Sequence, residues 1–139
     1  MRYPLEETRT DHVLLVEDNH RLEEMLANLL VGAGCMTDTV ASAAEARLRL
    51  FNFVPDLVVV DLALPGGEGY ELVSMIRSNP LTRGVPVIGL TVASTFGEGN
   101  RALATGMTRF LTGPLDPDTF GDQVRASLQL GNWWKASAQ

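Results

Sequence analysis

Glu17, Asp18 and Asp61 are the side chains of this sequence best placed to do chemistry, because each follows an apolar run. Glu17 and Asp18 close the run from His12 to Val16, and Asp61 closes the run from Leu57 to Val60. A carboxylate at the end of a buried apolar strand is costly unless something charged meets it. If the two strands are neighbours in a parallel sheet, the three acids converge on one cleft. Such a cleft suits a divalent cation with a nucleophilic aspartate beside it. Two carboxylates about 5 Å apart repel by roughly 3 kcal/mol at an effective dielectric near 20, and a cation relieves that repulsion.

Strand-like and helix-like stretches alternate five times, and this alternation is what positions the acids. The first strand spans His12 to Val16, and a helix begins near Asn19 with Leu22, Met25, Leu26, Leu29 and Leu30 on one face. Gly32 and Gly34 stop it. A short strand from Met36 to Val40 precedes a helix with Ser42 and Glu45 in capping-box spacing. Residues Phe51 to Pro55 form the return loop. Leu57 to Val60 is the central strand, apolar throughout, as a strand covered on both faces must be. The third helix covers Tyr70 to Ser78, and Asn79-Pro80 ends it. Val85 to Leu90 makes the fourth strand with Pro86 near its start. Thr95 to Asn100 opens the fourth helix, weakened by two glycines at about 1 kcal/mol each. Met107 to Thr112 makes the fifth strand. The last helix starts with Asp116 as N-cap and Pro117 in the first position, and Gly131 lies past its end.

Five such units predict an α/β fold, a doubly wound five-stranded parallel sheet with helices on both faces. Ligands in such folds bind at the carboxyl ends of the strands, near the reversal of strand order. Glu17, Asp18, Asp61 and Thr91 all fall at strand ends.

At 139 residues, with 45% hydrophobic and 20% charged residues, the chain reads as one globular domain. Residues 1–11 read as a polar N-terminal extension, 12–130 as the domain and 131–139 as a C-terminal tail or linker. The net charge of −6 argues against a nucleic-acid partner, since phosphate backbones require clustered Lys and Arg. The single cysteine, Cys35, excludes an internal disulfide and reads as a small buried hydrophobe in a reducing, cytoplasmic setting. No apolar stretch approaches membrane-spanning length and no secretory signal is present. His12 and His20 lack the further His or Cys that a zinc site needs, so they read as structural or solvated. The adjacent Trp133 and Trp134 mark a partner surface, dock on the domain or continue a helix, with no preference among these.

These pieces together resemble a response regulator receiver domain, the flavodoxin-like, chemotaxis-regulator-like module of bacterial two-component signalling. The resemblance covers about residues 12 to 130. It rests on Glu17-Asp18 after the first strand, Asp61 through Pro65 with Gly69 after the third, Leu90-Thr91 after the fourth and Gly113-Pro114 after the fifth. It implies that Asp61 accepts a phosphoryl group from a histidine of a sensor kinase or phosphotransfer protein. It implies Mg²⁺ held by Asp18, Asp61 and the backbone carbonyl of Ala63, with Glu17 acting through a bound water. Thr91 takes the place of the residue that contacts the phosphoryl group, and Phe110 the aromatic switch position. The implied activity is not that of an enzyme beyond self-catalysed phosphotransfer and dephosphorylation. The implied output is association with a downstream protein or a missing output domain, through the face formed by the fourth helix, fifth strand and fifth helix. A homodimer through that face is a further option.

The pattern departs from the family at two positions. A lysine normally precedes the proline of the last loop, and here Gly113 stands there; Val92 is also larger than the usual small residue after Thr91. Asp18, Glu17 and an aspartyl phosphate carry about four negatives against two positives on Mg²⁺, leaving roughly −2 where a lysine would leave −1. Arg109 shares strand parity with position 113 but lies about 13 Å away along an extended strand. The alternative function is therefore a phosphate-independent receiver that works as a protein-interaction module. Two enzyme classes on the same architecture fit less well. An aspartate-nucleophile phosphatase needs a second acid where Ala63 stands, and the Glu17-Asp18 pair would repel the phosphate of a mononucleotide.

Overall fold

Five strands alternate with five helices in the computed structural model, which describes residues 10–91 and 95–137 and, in the last helix, side chains as far as Asn132. The strands are β1 (His12–Val16), β2 (Met36–Val40), β3 (Leu57–Asp61), β4 (Val87–Thr91) and β5 (Arg109–Thr112). The helices are α1 (His20–Gly32), α2 (Ala43–Asn52), α3 (Glu68–Ser78), α4 (Glu98–Thr105) and α5 (Pro117–Ser137). The strands form one parallel sheet in the order β2-β1-β3-β4-β5. Strand order therefore reverses between β1 and β3, and the carboxyl ends of those two strands flank the natural ligand crevice.

Two apolar layers cover the sheet. On one face Val13, Leu15, Val59 and Ile88 pack with Leu26 and Leu30 of α1 and with Phe120, Val124 and Leu128 of α5. On the other, Leu14, Val16, Val58 and Val60 pack with α2, α3 and Ala102 of α4. Every residue of β3 is buried, as its unbroken apolar composition requires. The caps form where the side chains predict them. Asn19 Oδ1 accepts the Leu22 N–H at 3.1 Å and Ser42 Oγ accepts the Glu45 N–H at 3.2 Å. Asp116 accepts from the Asp118 N–H at 3.1 Å at the start of α5.

Several boundaries differ from the sequence reading, each for a local reason. α2 runs on to Asn52, which shortens the return loop. β4 begins at Val87 because Pro86 has no N–H to give the ladder, although its carbonyl accepts the Val58 N–H at 3.0 Å. β5 begins at Arg109 because the Met107 N–H is spent on the Ala102 carbonyl, closing the end of α4. α4 forms despite its glycines, since Gly97 stands outside the helix as its N-cap and only Gly99 lies within. The largest difference is at the C-terminus. Gly131 does not end α5, which continues to Ser137. A Cβ on Gly131 would stand 2.9 Å from Pro86 Cδ, so glycine is there to let the helix pass close over the β4 entry. Val92 and the side chains of Trp133 and Trp134 lie outside the described residues.

Candidate functional site

The sheet brings the three acids together. Glu17 follows β1 directly, its N–H donating to the Val40 carbonyl at 3.0 Å, and its side chain is 3% exposed. Asp61 ends β3 and is 6% exposed, whereas Asp18 faces solvent. One carboxylate oxygen from each of the three lies within 4.8 Å of the others. Two backbone N–H groups hold the buried pair in place: Asn19 donates to Glu17 Oε2 at 3.2 Å and Ala63 donates to Asp61 Oδ1 at 2.8 Å. α3 closes over this end of β3 because Gly69 is small, and a Cβ there would sit 2.9 Å from the Asp61 carbonyl oxygen.

The electrostatics follow from the crowding. The Glu17 carboxyl is pushed up to about 8, by burial first and then by the Asp61 carboxyl beside it, while the Asn19 N–H works the other way. Its second oxygen, Oε1, is buried and has no hydrogen-bond partner. A buried carboxylate oxygen without a donor, beside two further acids, is an arrangement that a cation would fit. All donors in reach are oxygens, which suits a hard divalent ion.

Thr91 ends β4 next to this cluster, buried at 6% exposure, one residue beyond the Asp61–Leu90 register pair. Phe110 lies in β5 on the same sheet face as Tyr70 and Ala102, half-buried against that apolar layer.

Residues 13–125 match the family model of the response regulator receiver domain. The chain belongs to that family. It is 34% identical over 84% of its length to the phosphate regulon transcriptional regulatory protein PhoB of Rhizobium meliloti (strain 1021). The receiver spans 52% of that protein and 53% of the DNA-binding response regulator MtrA of Mycolicibacterium smegmatis, about half of each. Among solved structures it resembles the signal receiver domain of a histidine kinase from Syntrophus aciditrophicus, with a TM-score of 0.79 and 31% identity over 86% of this chain and 91% of that one. It also resembles the receiver domain of sensor histidine kinase PA1611 from Pseudomonas aeruginosa PAO1, which carries a magnesium ion in its active site cleft. That likeness has a TM-score of 0.79 at 26% identity over 87% of this chain and 99% of that one. Receivers of this family serve phosphorelay signalling, between histidine kinases and output domains.

Gly113 precedes Pro114 in the turn after β5. Its φ is +77°, in the left-handed region, and its N–H donates to the Thr91 carbonyl at 3.1 Å. No heavy atom lies within 4 Å of where its Cβ would be. Space is open there, and it is the backbone that selects glycine. Arg109 stands at the far, amino end of β5, opposite Ile88 in register.

Sequence reasoning missed one cluster near the site. Tyr70 of α3 donates its hydroxyl to Glu98 Oε2 of α4 at 2.9 Å, and the Arg101 guanidinium lies 3.8 Å above the Tyr70 ring. The partners are 28 positions apart or more, and no spacing rule links them.

Among the described residues no helix is long and apolar enough to cross a membrane.

Proposed function

We propose that residues 12–130 form a cytoplasmic receiver that takes a phosphoryl group on Asp61 from a phosphohistidine of a sensor kinase or phosphotransfer protein. The observation that carries this reading is the convergence of Glu17, Asp18 and Asp61 at the strand-order reversal, with Glu17 Oε1 buried and without a hydrogen-bond partner. An Asp61 carboxylate oxygen attacks phosphorus, the N–P bond breaks as the O–P bond forms, and the imidazole leaves and takes up a proton. Asp18, Asp61 and the Ala63 carbonyl would hold Mg²⁺, with Glu17 acting through a water. The ion supplies positive charge that offsets the repulsion between the acids and the incoming phosphoryl oxygens. The Ala63 N–H orients Asp61, and the Thr91 hydroxyl hydrogen-bonds a phosphoryl oxygen. Phe110 occupies the switch position, and output passes through the α4-β5-α5 face to a protein target or an attached output domain, or to a second copy of the receiver.

The test is incubation with Mg²⁺ and acetyl phosphate or a histidine kinase, followed by intact-mass measurement. One added phosphate, lost in Asp61→Asn, supports the reading, and no adduct with either donor overturns it.

The left-handed Gly113 favours a second reading, a phosphate-independent interaction module. Tight Mg²⁺ binding with no spectral response to beryllofluoride would single it out.

A further inference from the structure

A cavity of 330 Å³ lies at the amino ends of β1 and β2, beneath the carboxyl end of α2. His12, Leu14, Met36, Asp38, Arg49 and Phe53 are among its walls. α2 packs on the sheet through Ala43, Ala46 and Leu50, then stops at Asn52. The chain next runs extended through Phe53, with φ −157° and ψ 132°, and so turns away from the first residues of β1 and β2. β2 is the edge of the sheet, and Met36 at its start is exposed.

Main-chain bonds fix these walls. The His12 N–H donates to Asp56 Oδ2 at 2.8 Å, and the His12 carbonyl accepts the Asp56 N–H at 2.8 Å. The Met36 N–H donates to the Asp11 carbonyl at 2.9 Å, and the Phe53 N–H to the Arg49 carbonyl at 3.0 Å. The Phe53 and His12 rings meet edge to face, centroids 5.1 Å apart at 67°. Phe53 nevertheless stays 53% exposed. A rigidly held ring left half in water gains when an apolar or aromatic surface covers it.

The wall charges select the ligand. Asp38 and Arg49 pair with each other across the cavity wall. A charged ligand would have to break that pair or lose its hydration without a counter-charge. A neutral ring pays neither cost. Asp38 keeps lone pairs beyond its bond to Arg49, so one N–H or hydroxyl on the ring finds an acceptor. An apolar cavity of about 150 Å³ holds benzene, and this larger volume has room for two fused rings.

We propose that this cavity is a second binding site, for a free neutral molecule of two fused aromatic rings bearing one N–H or hydroxyl. The rings lie against Phe53 and Met36, and the polar atom meets Asp38. The site stands at the opposite end of β1 from Glu17, about 16 Å away along an extended strand. It is therefore separate from the acid cluster and does not depend on the phosphoacceptor reading.

The experiment is titration of the full chain with indole, followed through ¹H–¹⁵N amide shifts. Saturable shifts are expected at His12, Met36, Asp38 and Phe53, with a Kd on the order of 1 mM or below for a ligand of this size. Indole-3-acetate, which adds a carboxylate to the same rings, should bind at least about tenfold more weakly. Phe53→Ala should weaken indole binding about fivefold through the lost ring contact. Met36→Trp puts a fused ring of the protein's own at the cavity wall and should abolish it. Met36 and Phe53 are 56% and 53% exposed, and unchanged β3 amide shifts in each variant show the core intact. Absence of saturable shifts, or shifts that Met36→Trp leaves in place, overturns the site. Equal binding of indole-3-acetate overturns the neutral ligand class. Binding of N-acetyltryptophanamide without binding of indole gives the cavity to a partner protein's tryptophan and overturns the free ligand.

Discussion

Glu17 and Asp61 lie 44 positions apart in the chain, yet carboxylate oxygens of the two stand within 4.8 Å of each other. Burial and this contact raise Glu17 from 4.5 to about 8. A carboxyl whose value rises on folding stabilises the folded state while protonated. Its contribution is fully present below about pH 4.5 and is lost as pH climbs through about 8. Metal-free protein should therefore lose stability over that window, by at most about 1.4 kcal/mol per pH unit for one proton. Urea unfolding at several pH values in a chelator checks this, with Glu17→Gln expected to flatten the slope and Mg²⁺ to stabilise most at the alkaline end. A slope unchanged in Glu17→Gln would assign the effect elsewhere.

Restoring a lysine at position 113 should not repair the charge balance cleanly. The backbone there has φ of +77°, and a side chain in the left-handed region costs about 1–2 kcal/mol. Gly113→Lys and Gly113→Ala should lose similar stability, about 1 kcal/mol each, because open space surrounds the site and the strain is in the main chain. Denaturant midpoints decide it. If the alanine variant is as stable as wild type, the left-handed backbone is not what holds glycine there.

Gly131→Ala separates helix propensity from packing. Propensity alone predicts a gain of up to about 1 kcal/mol in a helix interior. The new Cβ would stand 2.9 Å from Pro86 Cδ and 3.5 Å from the Asp56 carbonyl, so a net loss of about 1–2 kcal/mol is expected. Pro86→Ala in the same background should recover part of it. A stabilised Gly131→Ala would show that α5 can shift away from β4 at little cost.

The fold was legible because its signals are local. An apolar run such as Leu57 to Val60 declares a strand covered on both faces, and the Asn19, Ser42 and Asp116 caps declare helix starts within a few residues of themselves. Where the reading slipped, the deciding neighbour was distant. Gly131 looks like a stop signal until Pro86 is placed against it, and the glycines of residues 95–100 look destabilising until Gly97 is seen outside the helix.

The sequence alone determined which residues are acidic, that each ends an apolar strand, and that alternating units must stack into a parallel sheet, since period and turn chemistry are properties of neighbouring residues. Only the tertiary structure decided that Glu17 is the buried acid and Asp18 the exposed one, that Gly113 is left-handed, and that Tyr70 meets Glu98 and Arg101. Those facts depend on which surfaces the folded chain presses together, and burial, charge shifts and cross-helix contacts do not exist until it has done so.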